Sequence, residues 1–578
     1  MSQFNTQIHV LSHNMNDLLI RFNLYQYTYL QLILSFTLIT VLSYILLRLL
    51  SLYAISTKLN IQLRAIPTPP TRYPFSHFVD LVSSNPWLVL FQWMKQLNSR
   101  MIRFQFGSYT YIVVSDPKVI EHVMKQTKSN DKGDFLYQKD LAAMSSFLPI
   151  LGNGLVTSRG VEWHKQSSLI APVLRSDILQ DTARNSIEAT DRLIYKLLDS
   201  SNKYHNDSSA HTIGICDEFR HLTLQVIGKS ILSLSAIECS STFPDLYLPI
   251  ADECNTRVYF PIKKYLPLYS NYKYNSALNQ LNNYISEKIT TRYNELYTLG
   301  SEHINKLIQQ LNNSESCTID RRSVDILDRI LLSMISSGES WSSNNIAALR
   351  DQIKTFVLAG HETTSMMLTW SLYELMLNPQ CMQKCIDSAH ELWGNLRIHN
   401  GEITSDKQPV FDDMIKSDYT TAVLRESLRK WSVVPLVVRE AMRDDTLPHV
   451  DGIGAVNIPK GTNIAINVYA VHHQNDDSET YGWSNPSQFI PERFMGDNKN
   501  QHFSHRFMAF IQGPRKCIGQ HFALLEAKIV LSRLVLLFDM KPSEREHGKY
   551  HQFNIPITPD QRMDIHYKLK QPDTKTVQ

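Results

Sequence analysis

The sequence predicts a mainly α-helical domain with a small β region, joined to an N-terminal transmembrane helix. Three observations carry this expectation. No charged residue stands between Arg21 and Arg48. From about residue 118 onward apolar residues recur at i, i+3 and i+4, the period of a helix with one buried face. Strand-like runs are confined to Ile102–Phe106, Thr110–Val114 and pieces between Val437 and Val468.

Residues 1–26 read as a short lumenal segment. Residues 27–47 are rich in Leu, Ile, Tyr, Phe, Val and Thr. About 20 such residues span a bilayer as a helix. Tyr25, Tyr27, Tyr29 and Tyr53 suit its two interfaces. No small-residue cleavage site follows the run, which argues against a secretory signal, and it lacks the Arg-rich amphipathic character of a mitochondrial presequence. Arg21 is the only basic residue before the span, whereas Arg48, Lys58 and Arg64 follow it closely. The positive-inside rule then places the bulk of the chain in the cytosol. Residues 48–75 form a basic linker stiffened by Pro67, Pro69, Pro70 and Pro74. One domain spans 76–570, with polar loops at Asp199–Thr212 and Gln309–Ser323. Residues 571–578 are a polar tail.

Composition narrows the function. With 578 residues, length alone predicts several domains. At 43% hydrophobic and 20% charged residues the chain can build a large core. A net charge of +3 without any basic run excludes a nucleic-acid footprint. Seven scattered cysteines, with no CxxC pair, argue against a disulfide framework and for a reducing compartment. Cys381 and Cys385 share a helix face but have no His or Cys partner nearby, so they read as idle thiols.

The densest local pattern is Phe510-Ile-Gln-Gly513-Pro-Arg515-Lys-Cys517-Ile-Gly519, followed by an apolar helix from about Ile518 to Phe538. Cys517 therefore stands where a loop enters a helix. Free N–H groups and the helix dipole at that point lower a thiol pKa. Gly513 and Gly519 permit a tight turn and close approach to a flat ligand.

Asp351–Leu377 reads as one long helix containing Ala359-Gly360-His361-Glu362-Thr363-Thr364. Gly360 costs about 1 kcal/mol there relative to Ala. The small Ala359-Gly360 pair lets a bulky group lie against the backbone. Thr363 can bond back to the Ala359 carbonyl, loosening the helix. Glu362 and Thr363 form an acid–alcohol pair of the kind that relays protons. Glu426-Ser-Leu-Arg429 sets a carboxylate and a guanidinium at i,i+3 on a helix. Asn485-Pro486-Ser-Gln-Phe489-Ile-Pro491-Glu492-Arg493-Phe494 follows before the cysteine loop.

Together these strings resemble the cytochrome P-450 family over roughly residues 65–570. Phe510, Gly513, Arg515, Cys517 and Gly519 match its haem-binding loop position for position. The resemblance implies a P-450 fold and haem b held non-covalently, with the Cys517 thiolate as axial iron ligand. Ala359, Gly360, Glu362 and Thr363 then correspond to the oxygen-activation motif, and His361 to a variable position. Glu426, Arg429 and Arg493 correspond to a buried structural triad. Arg515, Arg439 and Trp163 fall where relatives contact the haem propionates. One departure stands out: relatives carry Arg four residues after this Trp, whereas this chain has Ser167, with His164 and Lys165 as the nearby substitutes.

The function implied is haem-thiolate monooxygenation: one oxygen atom from dioxygen enters a lipophilic substrate, such as a fatty acid, sterol or carotenoid. Electrons would come from NADPH-cytochrome P-450 reductase, with cytochrome b5 as an optional second donor. Docking is expected on the face of Lys516, Lys528 and Arg425. The implied location is the endoplasmic reticulum membrane, single-pass, with the catalytic domain cytosolic. Asn130-Asp-Lys132-Gly133 and Trp163 look most like the group that includes fatty-acid and carotenoid hydroxylases. Ω-Hydroxylases that attach haem covalently use a Glu where this chain has Ala359, which cannot do so. Two alternatives stand beside this reading: a haem-thiolate isomerase or dehydratase of lipid hydroperoxides, which needs no Glu362–Thr363 relay, and a non-enzymatic haem binder.

Overall fold

The strand signals after the proline cluster form a hairpin, β1 (Met101–Phe106) antiparallel to β2 (Tyr109–Val114). The computed structural model describes residues 31–44, 47, 51, 57–70, 77–106, 109–125, 135–141, 144–173, 176–202, 211–259, 261–312, 318–319, 322–338, 340–416, 418–450, 452–475, 482–496, 506–543, 556–559 and 562–570. After the hairpin come β3 (Tyr137–Lys139), β4 (His211–Gly214), β5 (Leu436–Ala441), β6 (Asn463–Asn467), β7 (Phe538–Pro542) and β8 (Asp564–Leu569). The main sheet has the order β1-β2-β6-β5-β3, with β6 parallel to β2 and antiparallel to β5. The short edge strand β3 pairs antiparallel with β5 and sets Lys139 directly opposite Arg439. Strands β7, β8 and β4 form a second sheet.

The helices relevant to the site are α1 (Gly160–Ile170), α2 (Ser176–Asn202), α3 (Ile215–Leu232), α4 (Phe243–Tyr259), α5 (Tyr269–Thr298), α6 (Ser343–Leu377), α7 (Pro379–Trp393), α8 (Tyr419–Trp431) and α9 (Gln520–Leu537). At 35 residues α6 is the spine, roughly 52 Å long at ~1.5 Å per residue. It begins eight residues before the expected Asp351, because the Ser342 side chain caps it by accepting the Asn345 N–H. Both α6 and α9 are buried over most of their length, with apolar side chains on every face. That is the mark of a helix inside a core rather than on it. Helix α6 packs on α3, α5, α8 and α9. α8 starts at Asp418, whose carboxylate accepts the Thr421 N–H, and stops at Ser432 in the left-handed region (φ 43°). The expected loops shrink: α2 extends to Asn202 and another helix to Asn312, with β4 starting at His211.

Residues 31–44 are helical, and Leu32, Phe36 and Ile39 on them are exposed. Apart from Leu47, the rest of the expected span and its interfacial residues Tyr25, Tyr27, Tyr29 and Tyr53 lie outside the described residues, as do Arg21, Arg48, Pro74, Asn130–Gly133 and the tail at 571–578. Among the described residues no helix is long and apolar enough to cross a membrane.

Candidate active site

Three segments converge on one cavity of ≈ 310 Å³: the loop before α9, the middle of α6, and the end of the edge strand β3 with α1. The loop is closed by the Cys517 N–H donating to the Phe510 carbonyl at 2.8 Å. Gly513 turns it at φ 73°, and a Cβ there would stand 2.5 Å from the Met124 carbonyl oxygen. Gly513 is thus dictated twice, by conformation and by space. Gly519 caps α9, and the space beside it is open. Cys517 is the one described cysteine that lines the cavity. Its thiol does not sit low in this state, as the helix start alone would have it. Burial pushes it up, against the opposing effects of the Gly519 N–H and the Lys139 charge. Cys385 is buried beside Thr420 and Cys381 is half-buried; neither lines the cavity.

Across the cavity, Ala359 and Thr363 present one face of α6. The Thr363 hydroxyl donates to the Ala359 carbonyl at 2.6 Å, the expected back-bond. His361 and Glu362, between them, point elsewhere. The space where Gly360 would carry a Cβ is taken by Ile227 of α3, whose Cδ1 would be 3.0 Å away. Gly360 therefore serves helix–helix approach as well as the cavity wall. Glu362 is buried away from the cavity, one residue and about 100° round the helix from Thr363. Its carboxylate accepts from Arg220 of α3 at 2.7 Å and lies 3.2 Å from His361 Nε2. Arg220 also donates to Asp252 of α4, whose side chain is 60% exposed. Burial would raise the Glu362 carboxyl, but the charges of His361 and Arg220 bring it down to about 2. The acid and the alcohol are thus not a touching pair: Thr363 faces the cavity, and Glu362 faces a charged path to the surface. His361 is buried, edge-on to Tyr247 at 5.2 Å, and is not part of the cavity wall.

The third wall is cationic. Arg515 donates to the carbonyls of Ser158 (2.9 Å) and Leu155 (3.5 Å) and lies 4.0 Å over the Trp163 ring. Arg439 is 2% exposed; it donates to the Val438 carbonyl, and its Nε has no partner among the described residues. Lys139 and Arg515 line the cavity, and Arg439 stands opposite Lys139 in the sheet without lining it. Burial brings Arg439 down to about 10. Burial, with the Arg439 and Arg159 charges, brings Arg515 down to about 9. Arg159 is itself paired with Glu440. No carboxylate lines the cavity among the described residues. Buried cations without counter-charge are costly, so this wall suits a ligand carrying two negative charges. Ser167 also lines the cavity, whereas His164 and Lys165 on the same helix are exposed and do not line it. The expectation that either replaces the missing Arg is therefore corrected: their side of α1 faces outward.

The predicted triad assembles in full. Arg429 donates twice to Glu426 at 2.8 Å, and also to the carbonyls of His472 and Gln488. Glu426 further accepts from the Ile490 N–H at 2.9 Å and from Arg493 at 3.4 Å. Lys528 needs a correction. It is 2% exposed, bonded to the Lys416 carbonyl and paired with Asp418, because α9 is buried on all sides. It offers nothing to a docking protein. Arg425 is half-buried and Lys516 exposed. Sequence reasoning missed Lys139 and Arg220, since neither stands in a recognisable string.

Residues 67–563 match the family model described as Cytochrome P450. Among curated relatives, "Cytochrome P450 4c21" of Blattella germanica is 27% identical over 81% of this chain and 87% of the relative. A "Cytokinin hydroxylase" of Arabidopsis thaliana is 29% identical over 78% of each. The crystal structure of the cytochrome P450DA heme domain superposes with a TM-score of 0.67 at 22% identity, covering 88% of this chain and 98% of that one. The chain therefore belongs to the cytochrome P450 family and is a monooxygenase built around haem b with a cysteine thiolate ligand.

Proposed function

We propose that Cys517 is that thiolate, and that the enzyme inserts one oxygen atom from dioxygen into a C–H or C=C bond of a lipophilic substrate. One observation carries the reading: Cys517 of the loop before α9 and Thr363 of α6 line a single cavity to which Lys139 and Arg515 bring positive charge, with Arg439 opposite Lys139 in the sheet. Haem b with a thiolate ligand supplies reductive activation of dioxygen, the thiolate donating electron density that favours O–O cleavage. The protein does the rest. Gly513 and the Cys517–Phe510 hydrogen bond hold the sulfur in place. Thr363 holds a hydroxyl proton inside the cavity. Glu362 is the carboxylate that exchanges protons with solvent behind α6, held in place by Arg220, which also pairs with the exposed Asp252. The triad fixes the core beneath.

Phe356, Val433 and Val434 give part of the cavity an apolar lining, in keeping with a lipid-like substrate. Ala359 leaves haem without a covalent tether to α6. The exposed apolar side chains at 31–44 support an anchor in the endoplasmic reticulum membrane, with the catalytic domain cytosolic. Electrons then come from NADPH through a membrane-bound flavoprotein reductase, with cytochrome b5 as optional second donor. The test is oxygen uptake with NADPH, reductase and a lipid panel. NADPH-dependent uptake with labelled oxygen in product supports the reading. Conversion of lipid hydroperoxides without NADPH would instead make the protein an isomerase.

A further inference from the structure

His472 lies near the end of the short helix Val468–His473 and is fully buried. Its backbone carbonyl accepts from Arg429 of the triad at 2.9 Å. Its ring reaches the start of the loop that carries Cys517: the Met508 N–H donates to Nε2 at 2.8 Å. An accepting Nε2 carries no proton, so the neutral ring keeps its proton on Nδ1, 2.7 Å from the Ser432 hydroxyl. That hydroxyl donates in turn to the Arg429 carbonyl at 3.1 Å. Only the neutral ring satisfies this arrangement. Met508 is fully buried as well, so its N–H has no water to turn to. Beyond Met508 the loop takes an unfavourable turn. Ile511 donates its N–H to the Met508 carbonyl at 3.0 Å and sits at φ 57°. A β-branched residue rarely adopts that left-handed conformation, which persists only where the surroundings hold it. The next bond is the one that closes the loop, from the Cys517 N–H to the Phe510 carbonyl.

We infer that His472 is a positioning residue for the thiolate: by accepting the Met508 N–H it holds the strained turn at Ile511, and through it Cys517, in register with the triad. The inference rests on Cys517 as the iron ligand. Burial first, then the neighbouring His473 and Arg429, keep the ring's protonation well below the ordinary 6.5. Arg429 is itself bonded to Glu426, and the loop offers the ring Phe507 and Met508, neither of them titratable. A proton on Nε2 would set donor against donor at Met508. The hold is therefore complete above pH 6.5 and weakens as pH falls below it.

The experiment follows the reduced, carbon monoxide-bound holoenzyme in mild urea and reads the rate at which the red-shifted Soret band of thiolate ligation gives way to the ordinary one. His472→Phe keeps a flat ring but strands the buried Met508 N–H, so conversion should be about tenfold faster, the usual scale for one buried donor left unpaired. His472→Gln can still accept that N–H and should stay near the parent rate at neutral pH. Below pH 6.5 the parent should convert faster with each step toward acid, whereas His472→Gln, which takes up no proton there, should rise less steeply. Parent-rate conversion in His472→Phe would overturn the assignment. So would a His472→Gln profile as steep in acid as the parent's, and that arm stands even where His472→Phe fails to fold. A parent without the red-shifted band would remove the Cys517 reading along with this one; unmoved variants beside a red-shifted parent would count against His472 alone.

Discussion

Two buried charged clusters flank the same site and are built on opposite principles. The Glu426–Arg429–Arg493 network closes on itself: each charge meets an opposite charge, and spare donors end on the carbonyls of His472, Gln488 and Asn485. The Lys139–Arg439–Arg515 wall does not close; its charges share one sign, and Arg439 keeps a nitrogen without a partner among the described residues. The first is complete in the bare polypeptide and serves folding. The second has no counter-charge among the residues lining the cavity, which fits the binding role proposed for it. Burial of charge is therefore no guide to role here; the presence or absence of a counter-charge is.

Breaking the closed network should cost most. Arg429→Ala leaves buried Glu426 with only the Ile490 N–H and the more distant Arg493 guanidinium, and loss of about 3–5 kcal/mol is expected. Urea denaturation should show it, alongside a low yield of folded protein. Substitution in the open wall should leave the bare polypeptide far less affected and act on haem retention instead.

Thr363→Ala tests the cavity side of α6. Acid–base assistance at such a position is worth ~10²–10⁴-fold. NADPH and dioxygen consumption should continue while hydrogen peroxide rises and product falls. A product-to-NADPH ratio equal to that of the parent would make Thr363 a packing residue.

Arg220→Gln tests the charged path behind it. In the parent, Glu362 titrates at about 2, below its ordinary value of 4.5. Its ionised form thus contributes stability that is fully present above pH 4.5 and is lost as pH falls toward 2. Without Arg220 the carboxyl keeps His361 but loses its second partner and rises, so the part of this stability that Arg220 supplies should be missing above pH 4.5. Thermal melts across pH 3–7 should show the parent's advantage over the variant shrinking as pH falls below 4.5; parallel curves would deny the coupling.

The smallest effect belongs to Lys528. Lys528→Met should leave reductase affinity unchanged, measured as the reductase concentration giving half-maximal NADPH turnover, because that ammonium is committed to Asp418 and the Lys416 carbonyl.

What the sequence displayed and what it hid follow from locality. The cysteine loop, the Thr363 back-bond and the Glu426–Arg429 pair each lie within a few residues of chain, so spacing alone reveals them. The helical fold with strands near residues 101–114 and 436–467 was equally readable from periodicity. Lys139 enters the site through strand register across some 300 residues, and Arg220 through the packing of α3 on α6. No local string encodes either. Glu362 and Thr363 are adjacent in sequence yet turned apart by the helix, and Lys528 was misjudged because α9 has no outward face.

The central claim is that Cys517 is the thiolate ligand. The most direct measurement is the absorption spectrum of the reduced, carbon monoxide-treated holoenzyme, for the parent and for Cys517→His. The parent should show the red-shifted Soret band of thiolate ligation, and Cys517→His should lose that band while keeping some haem. A red-shifted band that survives in Cys517→His would contradict the account, because the thiolate would then have to come from another cysteine.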